Sequence, residues 1–103
     1  MINLRSVLEL GETCQLDVER GILVKRGLHT SFSRSQTLAL QCFVQNLGHP
    51  VSKQRLAQYV WGESNTSERL LYQCIHRIRK NLEDDVHNPA YLVAIKGMDT
   101  KWS

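Results

Sequence analysis

The chain has few of the features that mark membrane, metal or catalytic proteins. Its longest apolar runs fall far short of the roughly 18 residues a membrane helix needs, and no secretory leader is expected. The three cysteines, Cys14, Cys42 and Cys74, are odd in number and widely scattered, with no C-x-x-C pair. That excludes a disulfide framework and a thiolate zinc site and fits a reducing compartment. The four histidines, His29, His49, His76 and His87, form no H-E-x-x-H or related cluster, and no glycine-rich phosphate loop is present. Glu83-Asp84-Asp85 lacks the spacing of a calcium loop and reads as a solvated acidic turn. No enzyme, cofactor, metal or small-molecule substrate is expected.

What remains is an ordinary globular composition in one domain spanning residues 1–103, with a net charge of +3. The charge is unevenly placed. Residues 33–82 carry seven basic side chains against Glu63 and Glu68, whereas residues 83–103 are net acidic. A positive middle favours a polyanionic partner.

The most informative stretch runs from Ser67 to Leu82. Leu71, Ile75, Ile78 and Leu82 recur at steps of four, three and four, which at about 100° per residue makes one narrow apolar stripe. Arg69, Gln73, His76 and Lys80 fall on the opposite face, with Arg77 and Arg79 on the flanks and no carboxylate from Arg69 to Lys80. Such a helix buries one side and offers cations and amides on the other, as reading the major groove requires.

Residues 6–32 read as four short strands broken by glycine-containing turns, an antiparallel platform. Ser33 and Gln36 have the spacing of a capping box, and Leu40, Phe43, Val44 and Leu47 continue a helix that Gly48-His49-Pro50 ends. Ser52 caps a second helix through about Val60, with Leu56, Val60 and Trp61 inward, and Gly62 stops it. Asn65 or Thr66 is expected to cap the third helix. Two helices joined by a short turn, the second basic outside, make a helix-turn-helix within residues 33–82. Tyr91–Lys96 reads as a strand, Gly97-Met98-Asp99 as a turn and Thr100–Ser103 as a return strand, so residues 90–103 form a hairpin, or wing.

Several segments together carry a resemblance to a known family: Val51-Ser52-Lys53-Gln54-Arg55-Leu56, Val60-Trp61-Gly62, Ile75-His76-Arg77-Ile78-Arg79-Lys80-Asn81-Leu82, and Ala90-Tyr91-Leu92-Val93 leading to Gly97. Over roughly residues 6–103 the chain resembles the OmpR/PhoB-type winged helix-turn-helix regulators of bacterial transcription, including their ToxR-like branch. The resemblance implies an α+β fold: an N-terminal four-stranded antiparallel sheet, three helices and a C-terminal β-hairpin wing. It implies sequence-specific binding of double-stranded DNA, with the third helix in the major groove and the wing at the minor groove. By position, Arg69, Gln73, His76 and Arg77 face bases or phosphates. Arg79 and Lys80 serve the DNA backbone or local ion pairs, and Trp61 lies near a phosphate. Lys96, Thr100 and Lys101 are the wing's candidates. The wing departs from the family pattern, with Asp99 in place of a glycine and Thr100 in place of a tyrosine. A second copy on tandem sites and RNA polymerase are the further partners implied. The implied location is the cytoplasm, either for a lone domain or for the cytoplasmic part of an inner-membrane-anchored regulator. The rival reading is a protein-interaction module whose basic helix docks an acidic partner.

Overall fold

The computed structural model describes residues 7–10, 13–63, 66–84, 91–94 and 100–102. Strands β1 (Val7–Glu9), β2 (Cys14–Asp17), β3 (Ile22–Lys25) and β4 (Leu28–Ser31) pair in sequence order as an antiparallel sheet. Helices α1 (Arg34–Gln45), α2 (Lys53–Trp61) and α3 (Glu68–Leu82) follow, then a hairpin of β5 (Leu92–Ala94) and β6 (Thr100–Trp102). The expected α+β winged-helix architecture is present. Among the described residues no helix is long and apolar enough to cross a membrane.

Strand alternation assigns the sheet its inner face. Leu16 pairs with Leu8 and Leu23, and Leu16 and Leu23 are fully buried while Gln15 between Cys14 and Leu16 is exposed. The inner face meets Ala39, Leu40 and Phe43 of α1, Leu56 and Ala57 of α2, Leu71, Cys74, Ile78 and Leu82 of α3, and Leu92 of β5 in one core. Each helix contributes one stripe, so no element is stable in isolation and the packing of all of them supplies the order.

Local chemistry sets the helix ends. The Ser33 hydroxyl accepts from the Gln36 N–H at 3.2 Å and the Gln36 side chain accepts from the Ser33 N–H at 3.3 Å, closing the capping box. The Ser52 hydroxyl accepts from the Arg55 N–H, and Gly62, at φ +77°, ends α2 in the left-handed conformation. Two expectations are corrected. The cap of α3 is Ser67, whose hydroxyl accepts from the Arg69 N–H, and not Asn65 or Thr66; the Thr66 hydroxyl instead donates to the Glu63 carbonyl. Helix α1 ends at Gln45, short of Gly48. The Asn46 side chain donates to the Cys42 carbonyl at 2.7 Å and the Asn46 N–H to Phe43, which closes the last turn early and leaves Leu47 exposed.

Two connections bind the ends of the fold together. Val51, between α1 and α2, exchanges backbone hydrogen bonds with Thr100 (2.8 and 3.2 Å), so the middle of the chain lies alongside β6. In the turn between β2 and β3, Gly21 donates its N–H to the Asp17 carbonyl, accepts from the Phe32 N–H, and sits at φ +68° against Thr37 of α1. A Cβ there would lie 2.0 Å from the Thr37 hydroxyl oxygen. Both the backbone angle and the contact therefore require glycine.

The three free cysteines are buried, and burial raises each thiol pKa, that of Cys74 to about 11. Cys74 stays protonated in the native state where the unfolded chain ionises near 9.0, so its contribution to stability is present below pH 9 and is lost as pH climbs toward 11.

Two outcomes test this packing. Gly21→Ala should cost about 2–4 kcal/mol in urea unfolding, the sum of left-handed strain and overpacking against Thr37. Gly62→Ala, with open space around its Cβ, should cost only the strain, about 1–2 kcal/mol. Equal losses would show that the Thr37 contact relaxes freely. At pH 8 the native thiols should resist iodoacetamide and become labelled in urea; rapid native labelling of Cys74, read by mass spectrometry, would contradict its burial.

Candidate nucleic-acid interface

The turn from α2 into α3 is fixed by a charge pair. Lys53 of α2 donates to the Glu68 carboxylate at 2.6 Å across the two helix starts. Glu68 also stands in the first turn of α3, where the helix dipole favours a negative charge, and Arg79 and Lys80 stand in the last turn, where it favours a positive one.

The fifteen residues of α3 divide as their periodicity demands. Leu71, Cys74, Ile78 and Leu82 are buried and Ile75 packs partly against them. Arg69, Gln73, His76, Arg77 and Lys80 are all exposed. Among the described residues none of these cationic side chains is held in an ion pair, so their charge and hydrogen-bonding capacity face outward together. Sequence periodicity did not single out Leu70 and Tyr72, which are 49% and 64% exposed on the same helix. The available signal was that both apolar residues fall well off the buried stripe.

Arg79 has a different role from its neighbours. It is half-buried, and its Nε donates to the Leu92 carbonyl at 2.9 Å, while its buried Nη2 has no hydrogen-bond partner. Burial pushes its pKa down, and Glu83 and Tyr72 pull it back up. Its guanidinium is thus engaged with β5, not directed outward.

Glu83 corrects the expectation of a solvated acidic turn. It is 5% exposed, and its carboxylate accepts from the N–H groups of Tyr91 (3.0 and 3.1 Å) and Leu92 (2.8 Å). Arg79 and Glu83, four residues apart, hold the carbonyl and the N–H of Leu92 respectively. Asp84 is exposed but pairs with Lys25 of β3 at 2.6 Å, and that lysine side chain holds its carboxyl below the usual range. The Tyr91 hydroxyl donates to the Leu10 carbonyl. Platform, third helix and hairpin therefore meet at one joint. Asp85 lies outside the described residues.

The remaining candidates separate. Trp61 is half-buried and packs against the core beside the helix junction. Lys101, on β6, is partly exposed. Thr100 is 6% exposed and has both backbone groups paired with Val51, so little of it is open to solvent. Its burial follows from the bridge to Val51, a pairing between distant segments. Lys96, with the turn Gly97-Met98-Asp99, lies outside the described residues.

This geometry has known counterparts. Residues 27–98 match the family model described as "Transcriptional regulatory protein, C terminal". The chain is 28% identical over 96 residues to the sensory transduction protein RegX3 of Mycolicibacterium smegmatis, covering 92% of this chain and 42% of that protein. The fold superposes on the response regulator DrrB, a Thermotoga maritima OmpR/PhoB homologue, with TM-score 0.81 and 23% identity, covering 95% of this chain and 44% of that one. It also superposes on the Klebsiella pneumoniae RstA DNA-binding domain, solved in complex with the RstA box, with TM-score 0.76 and 16% identity over 94% of this chain and 96% of that one. The chain thus spans less than half the length of the RegX3 relative. With the family model matching most of the chain, and a helix-turn-helix and hairpin arranged as above, the chain belongs to the transcriptional regulatory protein C-terminal family, the OmpR/PhoB-type winged-helix DNA-binding domains.

Proposed function

We propose that the chain binds double-stranded DNA sequence-specifically to regulate transcription, with α3 in the major groove. The observation that carries this reading is the outer face of α3: Arg69, Gln73, His76, Arg77 and Lys80 are exposed on a helix whose other side is locked into the core. Arginine and lysine neutralise phosphates and release their counterions, and arginine, glutamine and histidine form hydrogen bonds with base edges. RstA, of the same fold, has been solved on its own DNA box, which supports the choice of nucleic acid over an acidic protein as the partner.

In this arrangement Gln73 and His76, near the middle of the helix, read bases. Arg69 and Arg77 serve bases or phosphates, and Lys80 a phosphate. Trp61 rests near the backbone at the helix junction. Arg79 acts indirectly, by holding the hairpin, and Lys101 is the described wing residue with a charge to offer a phosphate; Lys96 would add a second. One helix and a short hairpin contact few base pairs, so two copies on direct repeats would supply the specificity that a single copy lacks. RNA polymerase is the partner that a transcriptional role would add.

Fluorescence anisotropy against duplexes selected from a random pool tests the reading. Affinity should fall steeply with salt and favour the selected sequence. Arg77→Ala should weaken binding to all duplexes and reduce the salt slope by about one. Gln73→Ala or His76→Ala should cost about 1–3 kcal/mol of discrimination at a single base pair. Uniform, feeble binding to every duplex, or indifference to all three substitutions, would sink the assignment and leave the protein-docking module standing.

A further inference from the structure

The proposed reading leaves two side chains of α3 unused. Leu70 and Tyr72 are exposed large apolar residues, and neither belongs to the buried core. At about 100° per residue they stand on opposite flanks of the polar strip. Leu70 lies next to Gln73, three residues on, and to Arg77, two turns on; Tyr72 lies next to His76, four residues on, and to Arg69, three residues back. Each apolar group thus borders residues proposed to touch DNA.

A major groove gives such groups little to meet. Its rims are phosphates; the Tyr72 hydroxyl has a proton to donate there, but covering a charged oxygen with the Leu70 side chain or the Tyr72 ring removes water without replacing its hydrogen bonds. Base edges present donors and acceptors, with one apolar exception, the C5-methyl group of thymine. Leaving leucine and tyrosine wet beside a dry contact would forgo the burial available to them. The exposed cations between and around them suit a polyanion better than an apolar protein surface.

We infer that Leu70 and Tyr72 are specificity-determining residues that pack on thymine methyl groups, one on each flank of the bases read by Gln73 and His76. The inference rests on α3 lying in the major groove and adds the identity of the flanking bases. The preferred site then carries thymine at two positions bracketing the centre of each half-site.

The test uses the 103-residue chain and a duplex selected from a random pool. Each thymine is replaced in turn by deoxyuridine, which removes the methyl group and leaves every hydrogen bond intact. At two positions the wild-type chain should lose about fourfold in affinity, the factor expected for one buried methylene-sized group. Leu70→Ala should abolish the penalty at one position and Tyr72→Ala at the other, with circular dichroism unchanged because both side chains are exposed. Unchanged affinity at every deoxyuridine would overturn the inference while leaving the DNA reading intact. So would a penalty that persists in both variants. Failure to select any duplex would overturn both.

Discussion

A helix that turns about 100° per residue can bury Leu71, Cys74, Ile78 and Leu82 only by holding Arg69, Gln73, His76 and Lys80 in the solvent. The rest of the structure depends on that division. The four-stranded sheet, α1 and α2 together provide the apolar surface that α3 covers, and the depth of that burial fixes the rotation of α3 about its axis. A surface helix held by fewer contacts could roll and present a different set of side chains. Here the polar face of α3 is a by-product of core packing, and its rigidity is that of the core.

The second constraint acts at the far end of the same helix. Burying the Glu83 carboxylate costs several kcal/mol unless its oxygens are satisfied, and three N–H···O contacts from Tyr91 and Leu92 do so, with the Arg79 guanidinium close by. Arg79 meanwhile bonds the Leu92 carbonyl from the other side. Each holds a different backbone group of Leu92, so the start of the hairpin is tied to the end of α3. Lys25 extends the joint to the sheet, pairing with Asp84 and reaching the Leu82 carbonyl at 3.4 Å. The charged residues of this region serve first to set angles between elements.

Most of the fold was legible in the sequence because its signals are local. The Ser33–Gln36 box, Ser52 before α2, Gly62 after it and the glycine turns of the sheet act within a few residues of themselves, and the strand and helix bounds follow them closely. The exposed face of α3 was legible for the same reason. The misreadings concern residues whose surroundings are set by distant segments. Glu83 looks like one of three solvated carboxylates until Tyr91 and Leu92 return to it. Thr100 looks like an open wing candidate for DNA until Val51 pairs with it. Arg79 is one more cation on a basic helix until β5 passes beside it. Asn46 is an exception, since its bond to Cys42 is local; there the helix pattern through Leu47 masked a competing side-chain donor. Leu70 and Tyr72 were visible as apolar residues off the stripe, but periodicity alone assigns such residues no purpose.

The bridge between Val51 and Thr100 bears on how the molecule is made. Leu92, fully buried, and Thr100 join the core and the small C-terminal sheet from positions far along the chain. As the polypeptide leaves the ribosome, the sheet and the first two helices emerge with their apolar surfaces incompletely covered. The segment at Val51 must wait for a strand about fifty residues downstream. Closure of so long a loop comes late, because its entropy must be surrendered before the contacts return anything. The core therefore lacks Leu92 until β5 is made, and Val51 lacks its backbone partner until β6 is free to pair.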